Sequence, residues 1–346
     1  MAASSKQVAP GYNEVVDYEG QDEYSTYNII HAFQNGSEGQ RTLARSSVTG
    51  SIFVVKHLMP RRLPHEAIFL LDLLNPHPNI VEAFGTDRTE DGGWNLHLEY
   101  CSGGDLCDQV DHMWTIIEEQ HEVRVCPEIF ALHVWVHMAH ALAYLHNGLR
   151  HRGNAEYAQE TWHVPLIHAD IKLENILLRF SDTNECGMPD IVLADFGLSI
   201  RADKAKGYYA GSENYCAPEI EELLQYAKRD PEEFESRCDA YTMTTKTDMY
   251  SLGVVMWYVV TGRWWPTAKD PKEMELPGKY ASEYLKDTVA WCLQVSPEDR
   301  PDASLDLLRG LLGNVDGMRE ERDLIFKTKG PLPDVWWQQK PQSAAA

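Results

Sequence analysis

The chain has 346 residues, 43% of them hydrophobic, enough to fold as one large domain or as two of roughly 150 residues each. Its 31 Lys+Arg stand against 53 Asp+Glu, a net charge of -22, which excludes sequence-independent nucleic-acid binding and disfavours an anionic membrane surface. Seven cysteines without a CxxC pair suggest neither a disulfide framework nor a zinc site, so reduced thiols are expected.

Residues 1–26 are polar and acidic (Glu14, Asp17, Glu19, Asp22, Glu23) and read as an arm. The N-terminus has no charged start followed by an apolar core, and the most apolar run, Leu252 to Val260, is far shorter than the ~20 residues of a membrane span. An intracellular protein, cytoplasmic or nuclear, is expected. From Tyr27 to Tyr100 short β-branched runs such as Ile52-Phe53-Val54-Val55 flank one helical stretch, His65 to Leu74, predicting a small sheet with one helix. Pro60 and Pro64 delay entry into that helix.

Beyond Tyr100 the pattern turns helical. Ile129 to His146 repeats apolar residues at spacings of three and four, and Leu252 to Val260 is apolar all round, as in a buried helix. Between them Asn175 to Phe180 and Asp190 to Phe196 are β-like, joined by the turn-rich Ser181 to Pro189, and predict a hairpin with a long loop. From 313 to 346 the composition is polar, and Trp336-Trp337 is its one strongly apolar feature.

The chemistry concentrates at the hairpin. The run His168-Ala169-Asp170-Ile171-Lys172-Leu173-Glu174-Asn175 precedes it and Asp195-Phe196-Gly197 closes it, so two carboxylates, an amide and an ammonium converge. Magnesium takes oxygen ligands and often only one or two protein carboxylates, the rest being phosphate and water, so Asp195 and Asn175 suffice. Asp170, two residues before Lys172, can aim a carboxylate at a hydroxyl while the ammonium faces phosphoryl oxygens, which is most of what phosphoryl transfer needs.

In order and spacing these motifs resemble those of eukaryotic-type protein kinases, over roughly Phe33 to Leu312. The resemblance implies an α+β, two-lobed protein-kinase fold: a small β-rich N-lobe (27–100) with one main helix, and a larger helical C-lobe (101–312) with inserts, preceded by the arm and followed by a tail (313–346). It implies ATP and Mg2+ as cofactors and protein substrates as partners. Lys56 resembles the strand lysine of the α- and β-phosphates, with Val54 beside it in the nucleotide pocket and Glu66 as the lysine's ion-pair partner. Asp170 corresponds to the base or hydroxyl-orienting residue, Lys172 lies near the γ-phosphate, and Asn175 and Asp195 are the metal ligands. Leu98 matches the gatekeeper, Glu99 to Cys101 the hinge, Leu177 the pocket floor and Asp105 a ribose or substrate contact. Gly211 to Glu219 resembles the end of an activation segment, and Arg300 the arginine that pairs with Glu219. Lys172 follows the serine/threonine-specific pattern. Leu70, His168, Phe196 and Asp248 match the column that links the lobes when a kinase is closed.

The chain also departs from that pattern. The glycine-rich loop keeps Gly36 and Gly39 but carries Gln34 in place of the first glycine, which weakens the expected phosphate lid. That degeneracy is the one support for an alternative, a nucleotide-binding pseudokinase that scaffolds partners. Lys56 and Glu66 are closer in sequence than is usual. Ala169 stands where relatives carry a phosphate-receiving arginine, so activity independent of activation-segment phosphorylation is expected. Three stretches read as inserts: Leu149 to Pro165, Phe180 to Asp190 and Ile220 to Thr247. The acids of the last, Glu221 to Glu235, read as a solvated face or as a preference for basic residues near the phosphoacceptor.

Overall fold

The computed structural model describes residues 24, 26–33, 40–58, 65–120, 126–181, 184–266, 271 and 282–338. Gly36 and Gly39 lie outside the described residues, as does nearly all of the acidic arm. The chain divides into two compact units, one running to Ala67 and including Ala83–Glu99, the other comprising Ile68–Glu82 and everything from Tyr100 onward.

The first unit is an antiparallel sheet of five strands: β1 (Tyr27–Ala32), β2 (Arg41–Ser46), β3 (Ile52–Leu58), β4 (Ala83–Arg88) and β5 (Trp94–Glu99), in the order β1-β2-β3-β5-β4. The β-branched runs of the sequence supply these strands. Ala44, Phe53 and Val55 bury one face around Tyr24, whose ring stacks on Phe84 at 4.6 Å and meets Phe53 edge-on at 5.1 Å. Tyr24, grouped with the arm in the sequence reading, therefore belongs to this core. Register places Lys56 of β3 between Arg41 and Leu96, and Val54 opposite Leu98.

The helix expected over His65 to Leu74 is one α-helical turn, α1 (His65–Ile68), continued by a π-helical turn over Phe69–Leu73 in which Leu74 N donates to Phe69 O. Glu66 and Ala67 face inward.

The second unit is helical. Helix α2 (Leu106–Gln120) precedes α3 (Glu128–Asn147), which buries every residue from Ile129 to His146. It ends at Gly148, whose φ of 66° suits glycine, and a Cβ there would meet His163 at 2.7 Å. The first insert forms a small hairpin, β6 (Leu149–His151) with β7 (Tyr157–Gln159). Strand β8 (Leu166–Ile167) leads into the loop from His168 to Asn175, and the expected hairpin follows as β9 (Ile176–Arg179) and β10 (Asp190–Leu193). Strand β11 (Ile200–Arg201) pairs with β8. The third insert begins as α4 (Pro218–Arg229) and α5 (Pro231–Ala240), and α6 (Thr245–Thr261) contains the expected central apolar run.

Helix α7 (Glu283–Cys292) and α8 (Leu312–Lys329) complete the unit. The sequence reads 313–346 as a polar tail, but its first half is α8, which packs along α3 with Leu312, Val315 and Met318 buried. No described helix is long and apolar enough to cross a membrane. None of the seven cysteines forms a disulfide.

Helix α3 interleaves buried histidines with its apolar residues. His133 meets His137 at 4.1 Å and His140 stacks on His151 at 4.6 Å. Burial lowers His133 and His140 well below the ordinary imidazole range, and it pushes His77 down to about 3 with help from Arg150. The unfolded chain takes up these protons near pH 6.5 and the folded one does not. Stability is therefore expected to be fully present above about pH 6.5 and to fall as pH drops below it, by about 1.4 kcal/mol per histidine per pH unit. Urea midpoints measured from pH 7.5 to 5 check this, and a flat profile contradicts it.

Candidate active site

In the first unit Lys56 Nζ lies 2.6 Å from Glu66 Oε2, and both side chains are 3% exposed. Strand β3 aims the lysine inward and α1 brings the carboxylate beneath it. Such a pair holds its ammonium at one place, because a buried charge cannot leave its counter-ion without a large desolvation penalty. Val54 and Leu98 face each other in register, and Glu99 ends β5.

In the second unit a chain of backbone and side-chain bonds shapes the loop from His168 to Asn175. Asp248, near the start of α6, is buried and accepts from the backbone N–H of His168 (2.8 Å) and of Ala169 (2.9 Å), while His146 of α3 meets its Oδ2 at 2.8 Å. These bonds hold Ala169 at φ 66°, a left-handed conformation that costs an alanine about 1–3 kcal/mol. His168 in turn reaches Ala194 O at 3.1 Å, and its ring meets Phe196 edge-on at 4.9 Å.

Asp170 is 3% exposed and surrounded by donors. Its Oδ2 accepts from Lys172 Nζ at 2.7 Å and from Asn175 Nδ2 at 3.0 Å, and its Oδ1 accepts from Ser212 Oγ at 2.7 Å. Lys172 Nζ also donates to Ser212 Oγ at 3.0 Å. The carboxylate is thus fixed in position while remaining an acceptor. Since Asn175 directs its amide nitrogen at Asp170, its amide oxygen is the atom that could serve a cation.

The hairpin supplies the second carboxylate. Leu193 pairs with Ile176, and Ala194 N donates to Asn175 O at 2.9 Å, so Asp195 follows directly across from the end of the His168–Asn175 loop. Its φ of 66° turns the chain out of β10, and its Oδ1 accepts from Gly197 N at 3.4 Å. A carboxylate and an amide oxygen are hard donors of the kind magnesium takes. Asp195 and Asn175 would hold such a cation, and among the described residues no three His, Cys, Asp or Glu side chains form a metal group.

Asp105 and Leu177 are bridged in antiparallel fashion, Cys101 is buried at the start of the unit, and Asp105 Oδ1 caps α2 by accepting from Asp108 N at 2.9 Å. The expected Arg300 pairing with Glu219 is bidentate, at 2.8 and 2.7 Å.

Sequence reasoning places Ser212 only within the end of the activation segment, whereas it bonds both Asp170 and Lys172. It sits 42 residues from Asp170, and no local pattern announces the contact. Tyr215, also unassigned, donates to Glu174 at 3.2 Å and accepts from Leu173 N at 3.4 Å; burial raises its phenol pKa, so it stays protonated. Burial, aided by Asp170, pushes the Cys216 thiol up to about 12, which disqualifies it as a nucleophile.

A model of the protein kinase domain matches residues 27–307, most of the chain, and the chain belongs to that family. It is similar to calcium-dependent protein kinase 12 of Oryza sativa subsp. japonica, 26% identical over 304 residues (81% of this chain and 48% of the relative). It is also similar to serine/threonine-protein kinase ATG1c of Arabidopsis thaliana, 30% identical over 230 residues (64% and 25%), and to serine/threonine-protein kinase Nek5 of Homo sapiens, 24% identical over 310 residues (84% and 37%). The chain spans half or less of the length of these relatives.

Proposed function

We propose that the chain is an ATP-dependent kinase that transfers the γ-phosphoryl group to serine and threonine hydroxyls of protein substrates. The observation that carries this reading is the Asp170 carboxylate, buried yet held only by donors from Lys172, Asn175 and Ser212. A substrate hydroxyl that reaches it gives up its proton to Asp170 as its oxygen bonds to the γ-phosphorus; the bond to the ADP oxygen breaks, and ADP leaves with that electron pair. Lys172 sits beside the same carboxylate and offsets negative charge on the transferring group. Lys56, held by Glu66, takes the α- and β-phosphates. Asn175 and Asp195 would hold magnesium, which would supply charge neutralisation to the phosphates.

Serine/threonine specificity is supported by Lys172 and by the named relatives. A preference for basic residues near the phosphoacceptor is supported by the exposed Glu213, Glu221 and Glu222 and by the net charge of -22. Dependence on ATP and seven cysteines without a disulfide fit an intracellular setting, cytoplasmic or nuclear.

The test is incubation of phosphatase-treated chain with labelled ATP, magnesium and an array of basic peptides. Label on serine and threonine that disappears in Lys56→Met is the expected result, and its appearance after phosphatase treatment supports phosphorylation-independent activity through Ala169. No label on any peptide, with nucleotide bound, overturns the reading in favour of a pseudokinase; label on tyrosine alone overturns the specificity.

A further inference from the structure

We propose that Val335–Gln338 is a positioning strap for the nucleotide-facing edge of the second unit, acting through Gln109 and Trp337 on Asp105 and Leu177; the inference rests on the kinase reading above. Gln109, in the first turn of α2, is 1% exposed. Its amide donates to Trp336 O at 2.6 Å and accepts from Gln338 N at 3.1 Å, so one side chain satisfies a donor and an acceptor of the passing backbone as an adjacent strand would. His112, three residues further along the helix and on the same face, meets Val335 O at 3.1 Å. Burying a glutamine to hold a segment more than two hundred residues away is costly unless the segment is in place, because both ends of the amide then lose their partners.

The strap delivers the Trp337 ring between Phe130 of α3 and Phe180, edge-on to both at 5.9 and 5.8 Å. Phe180 directly follows β9, and its ring lies against Gly103, where an added Cβ would come within 3.0 Å of the ring and 2.7 Å of Leu178 Cβ. Gly103 N donates to Leu178 O at 2.8 Å, Leu178 N donates to Gly104 O at 2.9 Å, and Asp105 bridges Leu177. The first turn of α2 closes on the same residue, since Gln109 N donates to Asp105 O at 3.3 Å. Strap, helix start and strand end are therefore one layer, and Asp105 and Leu177 are its nucleotide-facing members. Asp170 and Lys172 are held instead by each other and by Asn175 and Ser212.

The strap thus sets nucleotide affinity rather than the transfer step, and the two readouts separate. In full-length enzyme Trp337→Ala and Gln109→Leu are expected to raise KM for ATP about fivefold or more, with kcat and peptide KM within about twofold of wild type. Trp337→Phe, which keeps a ring against Phe130 and Phe180, restores the ATP KM. Calorimetric Kd for magnesium-ATP follows the same order without requiring turnover. An unchanged ATP KM and Kd in both variants overturns the proposal, as does a drop in melting temperature with kcat reduced and the ATP constants unmoved. A wild-type chain that binds nucleotide without phosphorylating peptides overturns the kinase reading alone, leaving the strap to be judged by Kd; a wild-type chain that binds no nucleotide overturns both.

Discussion

Asp170→Asn is expected to lower kcat by about 10²- to 10⁴-fold, the range of a positioned general base, with little change in melting temperature. The two halves of that expectation have different physical sources. Oδ2 faces the donors of Lys172 and Asn175, whereas Oδ1 faces Ser212, whose hydroxyl both donates and accepts. An asparagine placed with its oxygen on the Lys172 side and its nitrogen toward Ser212 keeps the Lys172 and Asn175 donors satisfied and lets the half-buried Ser212 hydroxyl accept, its own proton turning to solvent. The fold thus has no reason to change, and what disappears is the charge and basicity of the group that receives the hydroxyl proton. ATP binding should persist, because Lys56, Asn175 and Asp195 are untouched. Steady-state rates on a phosphorylated peptide, paired with thermal melts and nucleotide calorimetry, check the expectation. A variant that kept more than a tenth of the wild-type kcat would remove Asp170 from its assigned role.

How much of this site was legible in the sequence depended on how far apart the interacting residues lie. Asp170, Lys172 and Asn175 occupy one loop, and the strands β9 and β10 that bring Asp195 back carry clear β-branched runs, so the cluster could be read from local pattern and motif order. Lys56 with Glu66 was legible for the same reason, being ten residues apart on a strand and the next helix. Ser212 and Asp248 were harder, because their roles are contacts across 42 and about 80 residues that no periodicity encodes. Helix α8 was misread as tail. Its apolar contribution is a thin stripe, Gly313 and Gly317 argue against a helix by propensity, and one of its buried residues, Arg322, is charged. Burial of that guanidinium makes sense only in three dimensions, where it pairs with Glu185 at 2.7 Å and Asp323 at 2.9 Å and meets His133 at 3.2 Å. The inserted β6–β7 hairpin was missed because its strands are three residues long. Its anchor is not a pattern but a fork, with Arg150 donating to Glu160, Pro76 O and Asn75 O.

Arg300→Ala is expected to be the most destabilising single substitution of a polar residue in the second unit, by about 3–5 kcal/mol, because it removes one partner of a buried ion pair. Arg300 is 1% exposed, and its guanidinium forks onto both oxygens of Glu219. The same group donates to the carbonyls of Gln294, Val295 and Lys246 and lies over the Tyr250 ring at 4.9 Å. Truncation leaves the Glu219 carboxylate, 18% exposed, without its counter-ion, and removes a donor from each of three carbonyls. Glu219 lies in the first turn of α4, so the end of the activation segment loses its tie to the segment around Arg300. Arg300→Lys should recover little, because a single ammonium cannot fork onto the carboxylate while also reaching three carbonyls in different directions. The double variant Arg300→Met with Glu219→Gln should recover more than either, since it removes the stranded charge along with the cation. Chemical denaturation of the four proteins measures this directly. A loss below about 1 kcal/mol for Arg300→Ala, the range of an exposed pair, would mean that this fork does not hold the activation segment to the core.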